Sequence, residues 1–521
     1  MSIQTETSSP PNLISSADEP APPRKAGVRE WLGLALLALP TILLGLDLTL
    51  LHLALPALAA DLQPTSTQAL WIMDAYGFMI AGFLITMGAL GDRVGRRRLL
   101  MIGGVAFAIA SVLAAYSTSA VMLIVARSIL GIAGATLMPS TLALITNMFI
   151  DSRQRALGFG IWATMFALGM ALGPIVGGVL LEQYWWGSAF LIAIPIVVLL
   201  IALAPILLPE YKDPNGSRID LVSVLLSLCT ILPVIYGIKQ AAKDDFNIAT
   251  LIPIGCGFLI GIVFVARQRR LSNPLLELTL FKSRAFSVAL TVLLFGLVAV
   301  GGTMLLVTQY LQLVAGYTPL EAGLWMGPPA LAMVAAGIGA PLLARIVRPG
   351  FVVAAALVLS AAGYLLLAGV SAGTTGLSMV IVGFSLSYLG LGTIAALGTD
   401  LVVGSAPPEK AGSASAMSET VQELGVSLGI AVLGSITTAI YNNVMHDRIP
   451  SDLAAGVREA ISDSLWAATS ISTELPPGLL DEARVAFMTG LSGSALLSAV
   501  GVMVLAVLAA ATLRHIGKLG P

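Results

Sequence analysis

The sequence predicts an all-α membrane protein of fourteen transmembrane helices. Three observations carry that reading. Of 521 residues, 57% are hydrophobic and 11% charged, against roughly 45–50% and about 25% in soluble domains. The apolar residues gather in fourteen runs, each near the roughly 20 residues that cross a bilayer. Lysine and arginine crowd into alternate connections, so one membrane face is basic and the other nearly free of them. The net charge of −1 leaves no basic footprint for a nucleic-acid partner.

The elements follow in order. Residues 1–30 are polar, rich in Ser and Pro, and carry Arg24, Lys25 and Arg29. With no apolar stretch before a small-residue cleavage site, they read as a disordered cytoplasmic tail. The apolar runs then fall at 31–55, 70–91, 98–117, 120–146, 156–180, 188–208, 219–238, 248–267, 285–313, 320–344, 350–370, 376–404, 410–440 and 488–513. An even number puts both termini on one side. Arg93 and Arg96–Arg98, Arg153 and Arg155, Lys212 and Arg218, Arg267 to Arg284, Arg345, Arg348, Lys410, Arg514 and Lys518 share the side of the tail. That side holds 21 of the 27 basic residues, which makes it cytoplasmic. Lys239, Lys243, Arg448, Arg458 and Arg484 are assigned to the opposite loops, and Arg127 falls inside a span. The longest connection, 441–487, carries seven acids and three arginines. Its 451–468 stretch has helical periodicity and Leu475-Pro476-Pro477-Gly478 breaks it, so it reads as an amphipathic hairpin, either a lid or a solvated spacer.

Glycine, at 53 residues, suits helices that approach closely in lipid. Cys229 and Cys256 lie in apolar runs and read as small buried hydrophobes. With three histidines, and no Cys or His at ligand spacing, no metal or cofactor is expected. A Gly-x-x-x-x-Gly-Lys-Ser/Thr loop is absent, against an ATP-driven pump. No intramembrane His-Glu-x-x-His or serine–histidine arrangement supports the rival reading as an intramembrane enzyme.

Residues 88–99 read Gly-Ala-Leu-Gly-Asp-Arg-Val-Gly-Arg-Arg-Arg-Leu. Gly88 and Gly95 allow close helix approach and a tight turn. Asp92 suits a helix N-terminus or an arginine across a helix interface, and Arg93 and Arg96 hold the loop inside. This loop resembles the signature of the major facilitator superfamily. Arg127-x-x-x-Gly131-x-x-Gly134 resembles that family's proton-coupling motif. Gly169-x-x-x-Gly173-Pro174-x-x-Gly177-Gly178 resembles its antiporter motif. The resemblance implies two six-helix halves with two additional linker helices. The divisions are then 31–208, 209–284 and 285–513, with a tail at 514–521. Stretches 46–57, 70–76 and 407–425 are similar to the fourteen-span drug:proton antiporters of the QacA/SmvA quaternary-ammonium type. His52 departs from the asparagine common there, and Ala332 from an acid.

Few charges remain inside spans: Asp47, Asp74, Arg127, Glu419 and Glu423, with Asp400 near a span end. A carboxylate at the bilayer centre costs about 2.5–3.5 kcal/mol, so each acid should face water or a partner. Asp47 and Arg127 both sit about 10–12 Å below the outer surface from helix rise. They can pair, as a proton-coupling couple or as a static lock. Asp74 beside Trp71 and Tyr76 suits a lipophilic cation through charge and ring contact. Glu419 and Glu423 share a helix face; two such neighbours repel, so at least one is expected to hold a proton near neutrality, the property a proton carrier needs. Trp162, Phe166, Tyr310, Trp325 and Tyr388, with Met73, Met165, Met304 and Met333, are candidate walls for promiscuous binding, or packing. The resemblance implies a monomeric, proton-coupled exporter of lipophilic cations in a bacterial inner membrane, working by alternating access. An exporter of a metabolite or lipid is the nearest rival.

Overall fold

A computed structural model describes residues 26–212, 220–244, 248–271, 274–370, 376–407, 411–450 and 453–518. The expectations for the tail before residue 26, and for Arg218, Pro408 and Lys410, lie outside them. Among the described residues, fourteen helices are long and apolar enough to span a membrane. They are α1 Val28–Leu62, α2 Ser66–Val94, α3 Arg96–Ala115, α4 Ala120–Met148, α5 Leu157–Gln183, α6 Ser188–Leu207, α7 Leu221–Ala241, α8 Ile248–Gln268, α9 Arg284–Val314, α10 Pro319–Ala344, α11 Pro349–Ala368, α12 Gly376–Gly404, α13 Ser413–His446 and α14 Leu479–Thr512. Each predicted run has its helix. Several continue further, because chain ends outside the apolar run still satisfy their backbone in helical turns. α1 starts inside the expected tail and runs seven residues past residue 55.

Helices α1–α6 pack as one group and α9–α14 as another, with α7 and α8 paired beside them. α7 and α8 bury the least of the fourteen. Large apolar side chains such as Ile102, Ile109, Phe258 and Val504 face outward, where lipid replaces water. Cys256 is also exposed. The expectation of burial fails there because α8 lies at the periphery.

Local sequence explains the joints. Thr65 and Gln68 form a reciprocal cap on α2. Gly95 has φ +116°, and a Cβ there would lie 2.5 Å from Glu210 Oε1, so the α2–α3 turn needs glycine. The Glu210 carboxylate accepts from the Arg97 backbone N–H at 3.2 Å and pins the basic loop against the end of α6. Asp92 pairs with Arg96 at 2.6 Å, one turn away in the same loop. Neither the expected helix N-terminus nor an arginine across the half-interface is its partner. Gly88 also departs from expectation: its nearest neighbour to a Cβ would be Pro139, 3.7 Å away, an ordinary contact. Arg93 is exposed.

The small-residue motif of α5 acts as expected. A Cβ at Gly169 would lie 2.3 Å from the Ile42 carbonyl oxygen, and one at Gly173 only 1.9 Å from Thr49 Oγ1. α1 and α5 touch backbone to backbone, and the Thr49 hydroxyl donates to the Met170 carbonyl at 3.0 Å. Pro174 and Gly178, one turn on, meet Gly323 and Leu320 of α10, so this motif joins the two halves. Gly177 packs on Leu50 of α1.

Segment 441–487 folds over the helix ends opposite the α2–α3 loop. Short helices Ala455–Asp463 and Leu465–Ser470 rest on α13, α14 and α1. Asp463 caps α2, accepting from the Ser66 backbone N–H at 2.7 Å and its hydroxyl at 3.1 Å. Arg448 pairs with Glu482. This is a docked cap, which replaces the solvated-spacer alternative.

The candidate cavity and its buried charges

On the face covered by segment 441–487 the two halves are closed. A Cβ at Gly77 of α2 would lie 1.9 Å from Ser427 Oγ of α13, and Gly434 faces Leu70. Toward the face of the α2–α3 loop, the halves part around a cavity of about 1200 Å³. That is larger than the roughly 300–1,000 Å³ of ordinary ligand pockets.

Its N-terminal side is built by α2, α4 and α5. Trp162 and Phe166, one turn apart on α5, stack with ring centroids 6.3 Å apart and planes 7° from parallel. Trp162 Nε1–H donates to Thr141 at 3.0 Å. Both rings line the cavity, with Met138 and Met170 beside them. The opposite side is built by α10, α12 and α13, with Met333, Asp400, Glu419, Gln422 and Glu423. α12 takes a wide π turn over Ile394–Gly398. Such turns shift the phase of the helix after them, and Asp400, two residues beyond this one, stands on the wall. Near the mouth, Asp220 pairs with Arg267 at 2.9 Å. Slight burial of its carboxyl is outweighed by hydrogen bonds from Ser223 and Arg267, which hold it below the usual range.

Glu423 is 5% exposed, and among the described residues its Oε2 has no hydrogen-bond partner. Glu419, one turn earlier, and Asp47, across the half-interface, are both within electrostatic range of it. Asp47 itself accepts from Arg127 Nη1 at 2.6 Å. The Arg127 guanidinium also donates from Nε to the Ile72 carbonyl at 3.1 Å and from Nη2 to Met73 at 3.4 Å. It lies 4.6 Å from the centre of the Tyr76 ring. One buried arginine thus ties α4 to α1 and α2. α1 runs past residue 55, so Asp47 is further from its end than the spacing indicated; the pair forms all the same.

The cavity does not take in every residue expected there. Trp71, Asp74 and Tyr76 are not on its wall. Asp74 is fully buried against Lys239 of α7, whose Nζ is 2.9 Å from Oδ2 and 3.9 Å from the Trp71 ring centre. Lys239 is therefore inside the protein, not in an outer loop. The carboxylate and indole expected to receive a foreign cation hold one from the chain itself. Tyr76 stacks on Arg127. Tyr310 packs in the core as the first residue of the π turn of α9. Tyr388 is buried, its hydroxyl donating to Met304 Sδ at 3.1 Å. Trp325, where α10 breaks at Met326, is 39% exposed and leans on Tyr317. Of the four methionines only Met333 reaches the cavity, and His52 is buried away from it. A lysine in an apolar run, beside a Trp-x-x-Asp on another helix, was the signal that sequence reading passed over.

Two helical halves, closed on one face and parted around a large acidic and aromatic cavity on the other, define a membrane transporter. The chain belongs to the major facilitator superfamily, whose sequence pattern matches residues 37–430. It is 41% identical over 491 residues to the multidrug efflux pump LfrA of Mycolicibacterium smegmatis, covering 94% of this chain and 97% of that one. It is 34% identical to the methyl viologen resistance protein SmvA of Salmonella typhimurium, covering 92% and 96%. Among solved structures it resembles an inward-facing bacterial homolog of the human lysosomal transporter Spinster. The TM-score is 0.64 at 15% identity, over 94% of this chain and 98% of that one. The chain is a multi-pass membrane protein of this transporter family.

Proposed function

We propose that the protein is a proton-coupled efflux antiporter for lipophilic and quaternary-ammonium cations, in a bacterial inner membrane with both termini cytoplasmic. The observation that carries this is Glu423: a buried carboxylate with one oxygen unpartnered among the described residues, one turn from Glu419, on the wall of a cavity of about 1200 Å³. A carboxylate so placed is costly unless a cation or a proton neutralises it. Competition between the two for one negative charge is what antiport requires. The stacked Trp162 and Phe166 supply a face for a flat or greasy cation. Arg127 is proposed to hold Asp47 as a carboxylate while the two are paired, and to release it to take up the proton as the halves rock around the cavity. The names of the relatives, a multidrug efflux pump and a methyl viologen resistance protein, favour cationic cargo. The charge of the wall disfavours an anionic metabolite.

The energetics fit. Moving one charge through 100 mV is worth about 2.3 kcal/mol. One proton exchanged for one monocation moves no net charge and uses the pH gradient alone; a dication balances with two. The test is uptake of ethidium and methyl viologen into proteoliposomes with an imposed pH gradient. Accumulation that collapses with a protonophore is expected. Accumulation indifferent to the gradient defeats the coupling, and failure to move either cation defeats the cargo.

A further inference from the structure

The two helices that a twelve-helix transporter lacks, α7 and α8, hold together as a unit. Gln268 donates to Ser223 at 2.7 Å, Arg267 pairs with Asp220, and a Cβ at Gly237 would lie 2.8 Å from the Thr250 carbonyl oxygen. This unit lies on the outer seam, where α2 of one half meets α13 of the other, and α7 touches both. The two contacts differ in kind. Toward α2, Lys239 enters a closed site: both the lysine and Asp74 are fully buried, and the ammonium also caps Trp71. Pulling α7 from α2 strands two opposite charges in an apolar interior, each without its partner. Toward α13 no charge pair is formed among the described residues: Ile231, Leu232 and Ile235 of α7 share one apolar cluster with Leu424, Leu428 and Ala431 of α13, to which α2 adds Trp71 and Phe78. Apolar side chains of that kind exchange one packing for another without stranding a charge.

We propose that Lys239 is a positioning residue of the transport cycle. Through Asp74 it fixes the inserted pair to α2, so α7 and α8 travel with the N-terminal half while α13 slides across α7. This rests on the reading above that the seam opens during transport. It also gives Asp74 an internal counter-ion in place of a substrate.

The experiment uses the full chain with Cys229→Ser and Cys256→Ser, reconstituted in proteoliposomes. A Gly82→Cys/Leu228→Cys pair bridges α2 to α7, where a Cβ at Gly82 would touch the Leu228 side chain at 2.5 Å. An Ile235→Cys/Ala431→Cys pair bridges α7 to α13. Oxidising the first should leave ethidium transport within twofold of the reduced protein. Oxidising the second should cut it at least tenfold, with recovery on reduction. A first bridge that blocks, or a second that is tolerated, overturns the anchor. A parent that moves no ethidium sinks the cargo reading alone. The rate of disulfide formation then decides the anchor. Lys239→Met should slow the α2–α7 bond at least fivefold and leave the α7–α13 bond unchanged, and equal slowing or none overturns it.

Discussion

Arg127 Nη1 lies 2.6 Å from Asp47 Oδ2, with the guanidinium's other donors on the backbone carbonyls of Ile72 and Met73. Three helices of the N-terminal half therefore meet at one side chain that is 2% exposed. Asp47 is the only charged partner in that set, and it is the one within electrostatic range of Glu423 in the other half.

Lysine in place of Arg127 keeps the charge and loses the fork. It can satisfy Asp47 but not both carbonyls. Arg127→Lys is expected to fold and to lose at least tenfold in gradient-driven ethidium transport. Arg127→Gln strands the Asp47 charge, a penalty of about 3–5 kcal/mol for a buried pair broken on one side, and should reduce folded protein as well. Transport rate per folded molecule, with the yield of monodisperse protein, separates the two. Wild-type transport by Arg127→Lys removes the proton-coupling role.

Glu423→Gln retains the shape of the side chain and removes its charge. Gradient-driven accumulation should fall more than tenfold, while Glu419→Gln, more open to water, should fall less. Uptake into proteoliposomes across an imposed pH gradient measures both. The reverse order would move the proton site one turn along α13.

Trp162→Ala removes one ring of the stacked pair. A cation on an aromatic face is worth about 0.5–2 kcal/mol, so KM for ethidium should rise between about twofold and thirtyfold with kcat little changed. Initial rates over a range of dye concentrations show the split. An unchanged KM would take the stacked rings out of the binding surface.

Glycine substitutions separate contact from motif. Gly169→Ala places a Cβ 2.3 Å from a backbone oxygen of α1 and forces the helices apart, at about 1–3 kcal/mol for an overpacked site. Gly88→Ala meets nothing closer than 3.7 Å and should be neutral for stability. Unfolding temperatures in detergent compare them; equal temperatures contradict the tight α1–α5 packing.

Much of the architecture is legible in the sequence. Fourteen apolar runs became fourteen helices because a backbone in lipid must bond to itself. Asp47 and Arg127 were matched by depth, since few partners exist at that level. Glu419 and Glu423 were placed on one face by helical period alone. Asp400, by contrast, reaches the cavity only after the π turn of α12, which no period announces. Tyr310, Trp325 and Tyr388 were candidate walls by residue type, yet each points elsewhere, because a helix half in lipid and half in a bundle presents rings in every direction.

The sequence by itself determined how many times the chain crosses the membrane, and which charges are buried too deep to go unanswered. Only the tertiary structure decided which partner answers each one. Lys239 sits 165 residues from Asp74 along the chain; a lysine in an apolar run and a Trp-x-x-Asp hint that each needs a partner, but not that they are each other's. The pairing follows from where α7 lies across α2, a matter of helix crossing and side-chain reach that hydropathy does not encode.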